Sequence, residues 1–268
     1  MALSIPTWRL SCARDWVLNT ENRRMQRRLL LNPSAYFAAV AAKLIPRVYT
    51  GPVEIRLKHG GSFQVRDFMT INIYQEIFVD KCYDSVLPTE GSPRILDIGA
   101  NVGLFALRAK QVAPLAQIAC FEPFPANFNQ LRENLISSDL ADVKPFMTGV
   151  GGVARQQRLY VNPTNIGGHS IFRQLSGSDF VEIELVDLDA ALNRLPGGAC
   201  ELMKLDCEGA EAEIIRSMTP DLASRIQRIV YEASPTIYDA EDLNSTLRRL
   251  GYSVSGKGRV FYASRAKQ

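Results

Sequence analysis

No apolar run in this chain reaches 18 residues, so no transmembrane helix is expected. No basic start leads into an apolar stretch with a small-residue cleavage site, which argues against a secretory signal. The five cysteines (Cys12, Cys82, Cys120, Cys200, Cys207) are odd in number and include no CxxC pair. A disulfide framework and a zinc cluster are both disfavoured, and a reducing, cytoplasmic setting is the default. An excess of one charge is also missing: 31 basic residues face 28 acidic ones, a formal +3. That balance argues against a dedicated nucleic-acid binder. Histidine is scarce, with only His59 and His169, and no repeat or low-complexity tract interrupts the chain. What remains is an ordinary globular composition, 46% hydrophobic over 268 residues. That is enough for one large domain or two small ones.

Residues 1–50 read as a helical extension, and no boundary is placed within 51–268. Over 14–31, Trp16, Val17, Met25, Leu29 and Leu30 mix with Arg23, Arg24, Arg27 and Arg28. This suits either a solvated helix face or a helix that binds a membrane surface or an anion. From 52 to 67, apolar and polar residues alternate on both sides of His59-Gly60-Gly61-Ser62, a hairpin pattern that makes His59 a turn residue. Residues 71–84 read as a helix with Ile73, Ile77 and Phe78 inward. Its Tyr74 and Glu76 either close over a ligand or form a half-buried face.

From residue 94 strands and helices alternate. Strands are expected at 94–98, 117–122, 143–150, 202–205 and 229–232, and helices at 104–112, 126–135, 209–218 and 239–250. Residues 158–189 read as irregular, then strand-like in VEIELVDLD. The end reads as a hairpin turning on Ser255-Gly-Lys-Gly258. Such alternation implies an α/β, mostly parallel sheet covered on both faces, with an antiparallel edge added by the hairpin.

The strongest local feature is Arg94-Ile-Leu-Asp97-Ile-Gly99-Ala-Asn101-Val-Gly103. An apolar strand runs into a glycine turn and then a helix. In open α/β sheets ligands bind at the carboxyl ends of strands. The next strand ends in Glu122, about 20 residues on, where a carboxylate accepts ribose hydroxyls. An adenosine-type cofactor follows. The dinucleotide pattern GxGxxG is broken at Asn101. Asp97 at the loop suits a cationic ligand better than a pyrophosphate. S-adenosylmethionine, with its sulfonium and ammonium, is therefore expected in place of NAD.

The chain resembles the FkbM family of S-adenosylmethionine-dependent methyltransferases. ILDIGANVG (95–103), FEPFPANF (121–128), Leu188-Asp189, MKLDCEGAEAEII (203–215), IVYEASP (229–235) and LRRLGYSV (247–254) carry the resemblance. The segment 53–83 also fits, so the likeness spans roughly residues 50–262. It implies a class I, doubly wound, mostly parallel seven-stranded sheet. It also implies O-methylation of a hydroxyl on a sugar, glycoconjugate or natural product.

On this reading Asp97, Gly99, Asn101 and Gly103 hold the methionine and sulfonium end, and Glu122 the ribose. The adenine rests near Phe121, Pro123 and residues 148–150, including Thr148. Asp206 and Glu208 face the acceptor. A hydroxyl is a poor nucleophile until its proton is removed or a metal polarises it. Three readings stay open. Asp206 or Glu208 serves as base or orients the hydroxyl; Asp206, Glu208 and Glu232 gather Mg²⁺ through oxygen ligands; or the acids only order the loop and a helix N-terminus. Asn165, His169 and Ser170 lie in a polar insertion able to reach the acceptor, and His169 is a candidate base. Lys204 is expected to snorkel or pair with an acid. Cys207 sits between acids, which argues against a nucleophilic thiol. A small-molecule or glycan acceptor is the expected partner, and a homo-oligomer is compatible with the chain. Two other readings are an NAD-dependent oxidoreductase, which Asn101 opposes, and a non-catalytic cofactor-binding module working through residues 1–50.

Overall fold

A computed structural model describes residues 5, 7–44, 51–162, 168–172 and 179–265. Asn165 lies outside them. The chain divides into two compact units, Met1–Cys82 with Glu133–Leu140, and Tyr83–Arg132 with Ala141–Gln268.

The first unit holds α1 (Thr7–Leu18), α2 (Thr20–Leu29), α3 (Pro33–Lys43), the antiparallel pair β1 (Val53–Arg56) and β2 (Ser62–Val65), and α4 (Phe68–Tyr74). The helix expected over 14–31 is two helices. Asn19 ends the first by accepting from the backbone N–H of Glu21 (2.8 Å) and Asn22 (3.2 Å), which caps the second. Past α4 the chain widens into one π turn, Gln75–Val79. Tyr36, Phe63, Tyr74 and Phe78 form an aromatic core. Tyr74 is thus a core residue, its hydroxyl donating to Gln26 (2.7 Å), and Glu76 is exposed.

The second unit is built on a seven-stranded sheet. In chain order come β3 (Arg94–Ile98), α5 (Leu104–Val112), β4 (Gln117–Phe121), α6 (Pro125–Ser137, of which the residues from Glu133 on count with the first unit) and β5 (Val143–Phe146). Then come β6 (Gly149–Gly151), β7 (Arg155–Tyr160), β8 (Phe180–Asp187), α7 (Leu188–Leu192), β9 (Leu202–Leu205), α8 (Glu211–Ser217) and α9 (Pro220–Ser224). β10 (Arg228–Glu232), α10 (Ala240–Arg249), β11 (Ser253–Lys257) and β12 (Val260–Ser264) complete it. The sheet order is β11-β12-β10-β9-β3-β4-β5. β5, β4, β3, β9 and β10 pair in parallel, and β12 is antiparallel to both of its neighbours. This is the doubly wound, mostly parallel α/β fold that the alternation of strands and helices implies. Its apolar strands are buried on both faces: Leu96, Ile98, Met203, Leu205, Ile229 and Tyr231 on one and Ile95, Leu202 and Val230 on the other are at most 1% exposed.

Three strand expectations need correction. Residues 143–150 are two strands in different sheets. The chain leaves the large sheet after Phe146, whose carbonyl receives the Glu122 N–H (3.1 Å). β6 then joins a second sheet of order β6-β8-β7. β7 was expected to be partly irregular because RQQRLY holds too few apolar residues to show a period of two. The terminal hairpin turns at Gly258-Arg259, later than expected, and β12 lies inside the sheet while β11 forms the edge. Among the described residues no helix is long and apolar enough to cross a membrane.

Candidate active site

Strand order brings the carboxyl ends of β3, β4, β9 and β10 to one edge of the sheet, with the direction of winding reversing between β3 and β9. Gly99 ends β3 at φ +78°, its N–H donating to the Phe121 carbonyl (3.0 Å). A Cβ there would stand 1.8 Å from the Asp206 carbonyl oxygen, so the β3 and β9 turns touch only because this residue has no side chain. Gly103 starts α5 at φ +86°, where a Cβ would meet Leu131 Cδ1 at 2.4 Å.

Between them Asn101 takes φ +50°. Its N–H donates to Glu122 Oε2 (2.9 Å), and Phe124 N–H donates to Glu122 Oε1 (2.9 Å). Both oxygens of Glu122 are thereby fixed toward the loop. Burial raises the Glu122 pKa to about 7, against the pull of those two N–H donors. The Asn101 side-chain carbonyl oxygen is buried and has no hydrogen-bond donor among the described residues. Pro123 and Thr148 lie half-buried beside this edge, Thr148 in the break between β5 and β6.

Asp97 does not face a ligand as expected. It is fully buried beneath the loop, and the cation it meets is Lys204, its register partner on β9. Lys204 Nζ donates to Asp97 Oδ1 (3.1 Å) and to the Gly99 carbonyl (2.9 Å), and lies 3.6 Å from Asp206 Oδ2. The rings of Tyr83 and Phe105 lie at 5.9 and 5.6 Å from the ammonium, and the Tyr83 hydroxyl donates to Asp206 Oδ2 (3.5 Å). Burial works against the Lys204 charge, but Asp97 and Asp206 outweigh it and push its pKa up. One buried cation therefore joins β3, the glycine turn and Asp206.

The turn after β9 is held from below. Glu211, wholly buried, accepts from Cys207 N–H (2.6 Å), Gly209 N–H (2.8 Å) and the Tyr238 hydroxyl (3.1 Å). Ser170, buried, donates its hydroxyl to the Glu208 carbonyl. Glu208 is half-buried at φ +50°. Burial, then repulsion from Asp206, Glu211 and Glu232, raises its pKa to about 8 despite Arg259. Cys207 is pushed well up by burial and Glu211, which leaves it a protonated thiol.

The structure makes His169 a donor, where sequence offered a base. Its Nδ1 accepts from Asn162 N–H (3.0 Å), so Nε2 carries the proton. That Nε2 is buried without a partner among the described residues. The ring packs on Phe124 at 4.0 Å, and burial lowers its pKa to about 4. The Mg²⁺ set is not assembled. Among the described residues no three His, Cys, Asp or Glu side chains gather to hold a metal ion, and Glu232 pairs with Arg259 (3.0 Å). Sequence reasoning missed Tyr83 and the site role of Lys204, although K-x-D contains the lysine.

The family described as the methyltransferase FkbM domain matches residues 97–254. Methyltransferase sdnD of Sordaria araneosa is 31% identical over 68% of this chain and 82% of its own length. Methyltransferase 1 of Beauveria bassiana is 27% identical over 68% of this chain and 81% of its own. The 31-O-demethyl-FK506 methyltransferase FkbM of Streptomyces tacrolimicus is 26% identical over 71% and 85%.

Proposed function

Because this chain belongs to the FkbM methyltransferase family, we propose that it transfers the methyl group of S-adenosylmethionine to a hydroxyl oxygen of a sugar, glycoconjugate or glycosylated natural product. The observation that carries the cofactor reading is the buried Asn101 carbonyl without a donor, set beside a Glu122 whose oxygens are both aimed by backbone N–H groups. A ligand bearing an ammonium and a ribose supplies the missing donors. Bound there, S-adenosylmethionine supplies a methyl group on a positively charged sulfur. Gly99, Asn101 and Gly103 hold its methionine end, Glu122 accepts from the ribose hydroxyls, and Pro123 and Thr148 flank the adenine. Asp97 acts through Lys204, which holds the Gly99 carbonyl in place.

Asp206 and Glu208 face the acceptor. Asp206, with a third of its side chain exposed, orients the hydroxyl. Glu208 takes the proton, since a carboxylate raised to about 8 is a strong enough base near neutral pH. His169 donates from Nε2. The oxygen acceptor draws support from the Streptomyces relative, whose name specifies an O-methyl position. A cytoplasmic setting belongs to the same reading and rests on five cysteines, none of which forms a disulfide.

Calorimetric titration with S-adenosylhomocysteine, with NADH alongside, tests the cofactor. Binding of S-adenosylhomocysteine alone, lost in Glu122→Ala, is expected. Binding of NADH alone overturns the reading. Methyl transfer to a panel of sugar acceptors then tests the substrate class.

A further inference from the structure

We infer that α2 and the leucines at its two ends form a surface that docks on an anionic lipid bilayer. The ten residues of α2 contain four arginines and one glutamate, a net +3 equal to the formal charge of the entire chain. Arg23, Arg24, Arg27 and Arg28 stand at i, i+1, i+4 and i+5 and so share one face. All four are exposed. The opposite face turns inward through Asn22, Met25, Gln26 and Leu29, with Gln26 fully buried. Arg23 reaches only the Thr20 hydroxyl (3.5 Å), and Arg24, Arg27 and Arg28 make no side-chain hydrogen bond or ion pair among the described residues. Like charges at i, i+4 repel, so the pairs Arg23–Arg27 and Arg24–Arg28 oppose the helix until an anionic surface takes them up.

The hairpin extends the patch. Lys58 Nζ donates to the Arg27 carbonyl (2.6 Å) at the end of α2, and the Leu31 N–H donates to the Arg56 carbonyl (2.8 Å). The acids nearby do not cancel this charge. Asp15 is engaged by Arg14 (3.3 Å), and Glu21 and Glu54 stand singly against six cations.

Charge alone would suit any polyanion; the apolar residues select a bilayer. Leu18, just before the α2 cap, is 65% exposed, and Leu31, just after the helix, is 62% exposed. Trp8 and Leu10 on α1 are 44% and 45% exposed. Basic side chains flanked by exposed leucines are the composition of an interfacial helix, with cations at the headgroups and apolar groups at the acyl boundary. A nucleic acid has no use for those leucines. The methyl-donor site takes no part in this surface, and the test involves no cofactor.

The full chain is sedimented with vesicles of phosphatidylcholine alone or with phosphatidylserine added, while tryptophan emission is recorded. Both tryptophans, Trp8 and Trp16, lie on α1, so emission reports on this unit. Partition into the serine-containing vesicles is expected, with a blue shift of emission and release by high salt. Each arginine at an anionic surface contributes about five-fold, so Arg24→Ala/Arg28→Ala should lower partition ~30-fold. Leu18→Ser/Leu31→Ser should weaken it without loss of helical circular dichroism. Equal partition into both vesicle types overturns the inference. So does partition indifferent to the arginine pair, or retention on double-stranded DNA with none on vesicles.

Discussion

A buried carbonyl oxygen without a donor costs about 1–3 kcal/mol, and Asn101 carries one on a backbone already at φ +50°. Asn101→Gly isolates its purpose, because glycine keeps the left-handed turn and deletes only the side chain. Affinity for S-adenosylhomocysteine by calorimetry should fall about 10- to 100-fold, the worth of a hydrogen bond to a charged group. Unchanged affinity would remove Asn101 from the cofactor site. Glu208 is tested by rate. If it takes the acceptor proton, kcat/KM rises with pH through about 8, where its carboxyl ionises. Glu208→Gln should abolish that limb and lower the rate about 10²- to 10⁴-fold. A limb that persists in the variant belongs to another group.

At the scale of elements, β3 and β9 are clasped by Gly99 against the Asp206 backbone and by Lys204 against Asp97. Lys204→Met leaves a buried carboxylate uncompensated and should cost about 3–5 kcal/mol in denaturant unfolding. Adding Asp97→Asn should recover much of the loss, since the charge that needed a partner is then gone. Gly99→Ala should be worse tolerated than either, because its methyl group collides with backbone that no rotamer can move. These elements differ in how far sequence reveals them. β3, α5 and β9 fall where residue pattern places them, because a strand buried on both faces is a continuous apolar run and α5 follows a glycine turn. The α1–α2 break escaped because one Asn side chain decides it. β7 escaped because its stability comes from the ladder with β8, not from apolar residues of its own. The site divides in the same way. Gly99 and Asn101 are legible because the short turn after β3 takes positive φ at both, and Glu122 because it directly follows β4. The Asp97–Lys204 pair depends on the register of strands 107 positions apart, which exists only once strand order is known.

For the molecule as a whole, Glu208 ties stability to pH. Below its ordinary value of 4.5 the carboxyl is protonated both folded and unfolded. Between 4.5 and about 8 the unfolded chain has released that proton while the folded chain keeps it, so rising pH favours unfolding. Glu208→Gln should therefore gain stability relative to the parent as pH rises from 5 to 8 in urea unfolding. A constant difference would place the carboxyl in an ordinary, solvated setting. The position of β12 carries a different consequence. It lies between β10 and β11 although it is the last of the three to be synthesised. As a nascent chain leaves the ribosome, β10 waits with a bare flank and β11 has no neighbour to join until residues 260–264 emerge. Assembly of this half of the sheet is thus deferred until β12 has been made. A chain cut short before β12 would carry two sticky edges, prone to pair with its own copies.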